Sequence, residues 1–238
     1  QGRPLILQAG DSDGGRELAA ATADAIFSRH SRLDDARAFF ADTKGRLARY
    51  GRTPDQLKIL PAVTYVLGDT ADEARERARA IRRQQVSPQT AILLAEQLWN
   101  RDLSAYDADG PLPTMDPDVS AESIIQGRAR MFADPVATAN EWRRKADARK
   151  LSIREVVMEN MGRQSFIGTP QQVAEEMIHF VDTDACDGFI LAPHITPSGI
   201  DDFVDRVVPL LRERGVFRSE YRTTTLRDHL GLAPLQRV

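Results

Sequence analysis

The residues best placed to do chemistry come early in the chain, at Gln8-Ala9-Gly10-Asp11-Ser12-Asp13-Gly14-Gly15. The apolar run Leu5 to Ala9 stops at Gly10, and an Ala-rich segment of high helix propensity, Arg16 to Ala23, follows. The turn therefore joins a strand to a helix. A helix N-terminus offers unpaired N–H groups and the positive end of its dipole, which suits a phosphate. Glycine lets a ligand approach the backbone, and a hydroxyl such as Ser12 can donate to a phosphate oxygen. Gly10, Asp11 and Ser12 are the candidate cofactor-binding residues. The same pattern also serves as a plain helix cap with tight-turn glycines. The carboxylates of Asp11 and Asp13 oppose an anion unless they point away.

The candidate catalytic residue is His194, three positions beyond the apolar Phe189 to Leu191. A histidine just past a strand can bind substrate or move a proton, and equally can be a loop residue satisfied by backbone or water. His30 has similar standing after the run Ala25 to Phe27, whereas His179 falls inside a helical segment and His229 in the C-terminal tail. Trp99 and Trp142 could line a pocket or a subunit contact, but packing is the commoner use of such aromatics. Arg143, Arg144, Lys145, Arg149 and Lys150 read as a solvated helix face. Cys186 reads as a small buried residue. No His, Cys, Asp or Glu cluster has metal-ligand spacing, and neither a P-loop nor a nucleophile elbow is present.

The elements that must position these groups follow from caps and periodicity. Short strands are expected at Leu5–Ala9, Ala25–Phe27, Lys58–Leu67 and Gly188–Leu191. Helices are expected between them. One runs over Leu33–Tyr50 with Gly51 as a left-handed cap, and another starts at the capping box Thr70-Ala71-Asp72-Glu73 and reaches about Arg83. Ser87-Pro88 and Asp134-Pro135 each place a cap before a proline at the first helical position. Asp107 to Ser120 reads as a surface loop. Thr169-Pro170-Gln171-Gln172 opens a helix whose stripe is Ala174, Met177, Ile178 and Val181, and one last long helix carries Ile200 to Leu211 before Gly215. Alternation of this kind predicts parallel strands with right-handed crossovers, in either an open doubly wound sheet or a barrel. A complete barrel needs eight strand–helix units, and four are countable, so half a barrel fits.

Composition narrows the function classes. The chain has 238 residues, 42% hydrophobic and 28% charged, with a formal net charge of -3. That is ordinary globular composition with no nucleic-acid footprint. No apolar run approaches the ~20 residues of a membrane span, so a membrane protein is not expected. A single cysteine excludes an internal disulfide, which suits a cytoplasmic setting. The first residues show no signal-peptide pattern.

Two stretches carry a resemblance. The opening Arg3–Phe27 is similar to the segment of nitrilotriacetate and dibenzothiophene-sulfone type monooxygenases, luciferase-like flavin enzymes, in which a Gln-Ala-Gly strand end meets a Ser-containing turn. Phe166–Leu232 resembles the same family's C-terminus, most specifically at Gly168-Thr169-Pro170, Asp187-Gly188-Phe189, Val207-Val208-Pro209 and the tail Thr225-Leu226-Arg227-Asp228-His229-Leu230-Gly231-Leu232.

The resemblance implies that residues 1–238 form the C-terminal half of a luciferase-like (β/α)8 TIM barrel. A helical insertion (about 84–167) precedes the last βα unit, and a tail covers about 216–238. It implies a two-component reaction in which a separate NAD(P)H:flavin reductase supplies FMNH2. Oxygen adds at flavin C4a, and the peroxyflavin places one oxygen atom on a small organic substrate, often one containing nitrogen or sulfur. Ser12 matches the family's phosphate-binding serine, with Gly10 and Asp11 beside it. The ring-binding and proton-handling residues are expected in the N-terminal half of the same barrel, and a homodimer is expected by analogy. Gln1 is then not the natural start, and the chain follows a disordered or cleaved loop. Within the same fold the rival reading is a deazaflavin-dependent oxidoreductase. The rival from another class is a non-catalytic half-barrel interaction module.

Overall fold

The computed structural model describes residues 3–120, 132–161 and 164–234. Residues 121–131 and 162–163 of the expected insertion, the last four residues of the tail, and Gln1 with Gly2 lie outside the described residues. The chain divides into two compact units, one of residues 1–77 with 164–238, the other of residues 78–163.

The first unit is an α/β assembly. Its strands are β1 (Leu7–Ala9), β2 (Ala25–Ser28), β3 (Lys58–Val63), β4 (Tyr65–Leu67), β5 (Phe166–Gly168) and β6 (Ile190–Leu191). A four-stranded parallel sheet runs in the order β1-β2-β3-β6, and β4 pairs with β5, also in parallel. The register places Ile26 between Gln8 and Ile59. Parallel strands need crossovers, and α1 (Asp13–Thr22) and α2 (Leu33–Arg46) supply the first two. α3 (Ala71–Gln85) starts at Thr70, whose Oγ1 accepts from the Glu73 N–H, while the Glu73 carboxylate reaches back to the Asp69 N–H.

Beyond the second unit, α7 (Pro170–Asp182) opens with a complete capping box between Thr169 and Gln172. α8 (Ser198–Arg206), α9 (Val208–Glu213) and the short α10 (Leu226–His229) complete the unit. Ile26, Ile59, Leu47, Leu57 and Phe39 pack with Ala19 and Ala20 of α1 in one cluster. Val63, Tyr65, Phe166, Met177, Phe180 and Phe203 anchor a second cluster, which also holds Cys186. Burial pushes the Cys186 thiol up to about 12, so it is an inert core residue.

In the second unit, α4 (Pro88–Trp99), α5 (Pro135–Arg149) and α6 (Ile153–Met161) pack around Trp99 and Trp142, whose ring centroids are 6.0 Å apart. Ser87 and Asp134 cap α4 and α5 as their sequences predict. The segment 107–120 is more than surface loop, because Ala108, Pro113 and Pro117 are buried in it. The Arg143 guanidinium fastens it, donating to the Pro113 and Met115 carbonyls and pairing with Asp116.

Four sequence expectations are corrected. The strand expected over Lys58–Leu67 is two strands broken at Thr64, because β3 pairs with β2 and β6 while β4 turns to β5. β5 itself was not expected. The strand expected at Gly188–Leu191 shrinks to Ile190–Leu191. The single last helix is two, because Pro209 has no N–H to continue the ladder and the break falls at Val207.

Candidate functional site

Every strand of the four-stranded sheet points the same way, so Gly10, Ser12, Arg29, His30 and His194 all follow C-terminal strand ends. In parallel α/β proteins this edge is where ligands bind.

Ser12 is the N-cap of α1, extended at φ -65 and ψ 160, and its Oγ accepts from the Gly15 N–H at 3.1 Å. The hydroxyl proton is left to donate elsewhere. The Arg16 N–H goes to the Ser12 carbonyl at 2.9 Å. Of the four orphan donors at this helix start, the N–H groups of Asp13 and Gly14 bond to no acceptor among the described residues. The turn can be this tight only with glycine at 15, since a Cβ there would stand 2.9 Å from the Gly10 carbonyl oxygen. At Gly14 a Cβ would meet nothing within 4 Å, so the mouth of the turn is open.

The two carboxylates that oppose an anion are both engaged by cations. Asp11 receives Arg29 Nε at 3.2 Å, and His30 Nε2 lies 3.9 Å from the same oxygen. Asp13 points outward, 89% exposed, and pairs with Arg46 Nη2 at 2.6 Å. Arg16 is held beside the turn, donating from Nε to the Asp11 carbonyl and from Nη1 to Asp42, with its guanidinium over Phe39. The His30 ring stacks on the same Phe39 at 4.6 Å. Its Nε2 is buried without a hydrogen-bond partner. The turn therefore offers two free amides and one hydroxyl proton beside carboxylates already offset by arginines, a set that fits a phosphate group.

Gly10, Asp11 and Ser12 are thus brought together, and Arg29, His30 and Arg16 join them. Sequence reasoning passed over Arg29 and Arg16. The readable signal for Arg29 was its place directly after a strand end, level with the glycine turn of the neighbouring strand. His194 shares the edge but not the cluster. It follows β6, three strands from β1, and at ~4.8 Å per strand the separation is roughly 14 Å. His179 is exposed on α7, and His229 Nδ1 meets Thr223 Oγ1 at 3.2 Å. Trp99 and Trp142 are core residues of the second unit, and Trp99 Nε1 donates to the Met115 carbonyl. The described residues include no metal-ligand cluster, and among them no helix is long and apolar enough to cross a membrane.

A parallel α/β sheet with a glycine-containing turn and a capped helix start at its C-terminal edge defines a class, and comparison with known proteins supplies the family. The luciferase-like monooxygenase pattern matches residues 1–185. Over 235 residues the chain is 39% identical to the N-acetyl-S-(2-succino)cysteine monooxygenase of Bacillus subtilis (strain 168), covering 98% of this chain and 51% of that protein. Component A of the nitrilotriacetate monooxygenase of Aminobacter aminovorans is 38% identical, with 98% and 49% covered. Among solved structures, the EDTA monooxygenase of Chelativorans sp. BNC1 superposes with a TM-score of 0.64 at 28% identity, covering 98% of this chain and 52% of that one. The chain belongs to the luciferase-like monooxygenase family. It spans about half the length of the curated relatives it matches.

Proposed function

We propose that the protein to which this chain belongs is a two-component monooxygenase that uses FMNH2 from a separate NAD(P)H:flavin reductase to place one atom of O2 on a small organic substrate. The observation that carries the reading is 39% and 38% identity to two monooxygenases across 98% of the chain. One of these relatives is named a component A, and the names of both substrates contain nitrogen or sulfur. A nitrogen- or sulfur-bearing substrate is therefore the class proposed here.

In this reading the chain's part is to hold the cofactor's phosphate. Ser12 donates its hydroxyl proton, the Asp13 and Gly14 amides donate along the axis of α1, and Arg29 offsets the Asp11 carboxylate beside them. Bound reduced flavin supplies the activation of oxygen. The four-stranded sheet is read as half of a (β/α)8 barrel. Ile6 and Leu7, at 40% and 56% exposed, mark the β1 edge where a further parallel strand of the N-terminal half would pair. His194, after the opposite edge strand, is assigned to the substrate side of the mouth.

The test is titration of the full-length protein with FMN, FMNH2 and a deazaflavin, followed by oxygen uptake with a reductase present. Binding of reduced FMN, with slowed reoxidation by O2 relative to free FMNH2, is expected. Selective binding of the deazaflavin, or no flavin binding at all, would overturn the assignment.

A further inference from the structure

At the opposite end of the sheet, Asp24 immediately precedes β2 and is only 3% exposed. Its carboxylate accepts from the Ile6 N–H at 2.9 Å and from both arms of Arg3. Burial pushes this carboxyl up, but the bonds from Arg3 and Ile6 and the nearby Arg227 outweigh it and hold the group below its ordinary range. Arg227 comes from α10, in the tail motif. Its Nη2 stands 2.9 Å from Asp24 Oδ2, on the carboxylate that already holds both arms of Arg3. The Arg227 side chain is only 12% exposed, and a single carboxylate there serves two guanidinium groups.

Arg52 closes the third side. Its two Nη atoms donate to the carbonyls of Ala19, Ala20, Ala23 and Gln56, all neutral acceptors, so its charge is not cancelled. Burial lowers its pKa, the Asp24 carboxylate partly offsets this, and the charge of Arg3 lowers it again. These groups line a cleft of about 310 Å³, together with Gln56 and Leu232. Three guanidinium groups face one carboxylate there, an excess of two positive charges.

We propose that this cleft is a binding site for a small oxyanion, held by Arg227 and Arg3 at the base of the sheet. Surplus positive charge lining one cleft calls for a counter-ion and selects an anion over water. The guanidinium fork matches carboxylate and phosphate oxygens. The cleft is larger than inorganic phosphate needs, so the anion is either free or carried on a small molecule. The site is independent of the flavin phosphate turn, which lies at the other end of β1 and β2.

The experiment uses full-length Ser12→Ala protein, so that the turn on α1 does not contribute, in a buffer without phosphate or sulfate. Calorimetric titration with inorganic phosphate is expected to saturate at one site. Arg227→Gln should weaken binding about tenfold, the loss of one charge-assisted hydrogen bond. Asp24→Asn removes the only carboxylate among the described lining residues and should tighten binding, whereas a merely structural clamp would lose stability and gain no affinity. If Arg227→Gln does not fold, Arg3→Gln takes its place with the same expectation. A nucleoside monophosphate that binds more tightly than phosphate marks a phosphorylated ligand, and equal affinities mark a free anion. No saturable phosphate binding, unchanged affinity in folded Arg227→Gln, or no tightening in Asp24→Asn overturns the proposal.

Discussion

Ser12 has two tasks in the proposed reading, and substitutions can separate them. As N-cap it accepts from the Gly15 N–H, and as ligand it donates to phosphate. Ser12→Ala removes both and should cost about 1 kcal/mol of stability. It should also weaken FMN by about 1.5 kcal/mol, close to tenfold, for a hydrogen bond to a charged group. Ser12→Asp restores the cap, because aspartate accepts as well as serine there, so stability should return to within about 0.5 kcal/mol. The new charge would face the phosphate at about 4 Å. At an effective dielectric of about 20 that repulsion approaches 4 kcal/mol before screening, so FMN affinity should fall more than about a hundredfold. Riboflavin lacks the phosphate, and its affinity should stay within about twofold in both variants. Flavin fluorescence titration of the full-length protein, alongside urea denaturation, measures all of this. If FMN and riboflavin weaken together, or Ser12→Asp binds FMN as well as wild type, the phosphate is not held at this turn.

Lys44, 9% exposed, pairs with Asp187 at 2.9 Å, and Asp187 also accepts from the Ile59 N–H at 2.7 Å. Asp187→Ala should therefore cost about 2–4 kcal/mol by urea denaturation, with strong non-additivity against Lys44→Met; additive effects would refute the pairing. Because the Asp24 carboxyl is held low, its stabilisation is present above the unfolded value near 3.9 and is lost as pH falls through the lower folded value. Asp24→Asn should flatten that acid limb in melting curves recorded between about pH 5 and pH 2, and an unchanged limb would count against it. Trp99→Ala empties the centre of the second unit and should cost about 3–5 kcal/mol there, read by hydrogen exchange on α4 to α6. Cys186 should resist thiol reagents at pH 8 until denaturant is added, and rapid labelling of the native protein would contradict its burial.

Much of this architecture was legible from local chemistry. Ser87, Asp134 and Thr169 mark helix starts because a cap is a contract between a residue and the amides just after it. The parallel order followed from strand–helix alternation. The break at Thr64 was not legible, since Lys58 to Leu67 is continuous in β propensity and only the pairing of β4 with a segment about a hundred residues away divides it. Phe166–Gly168 escaped for the same reason, as three residues carry no period. At the candidate site, Ser12 and Gly10 could be read because their types and spacing are local. Arg29 and His30 could not be placed beside Asp11 until the register of β1 and β2 was known. The fate of the Asp13 charge depended on Arg46, thirty-three residues away.

Arg52 has a consequence for how α1 behaves as a mechanical part. The helix has no basic residue in its own last turn, and Arg52 supplies that cation from outside by gripping three of its final carbonyls. With its C-terminal end clamped, α1 cannot fray from that side. Its opening is then governed by the N-terminal end, where Ser12 sits. A phosphate bound at Ser12 would close the remaining end. Amide exchange along the whole of α1 should slow together on binding, so the helix reports occupancy of one end at the other.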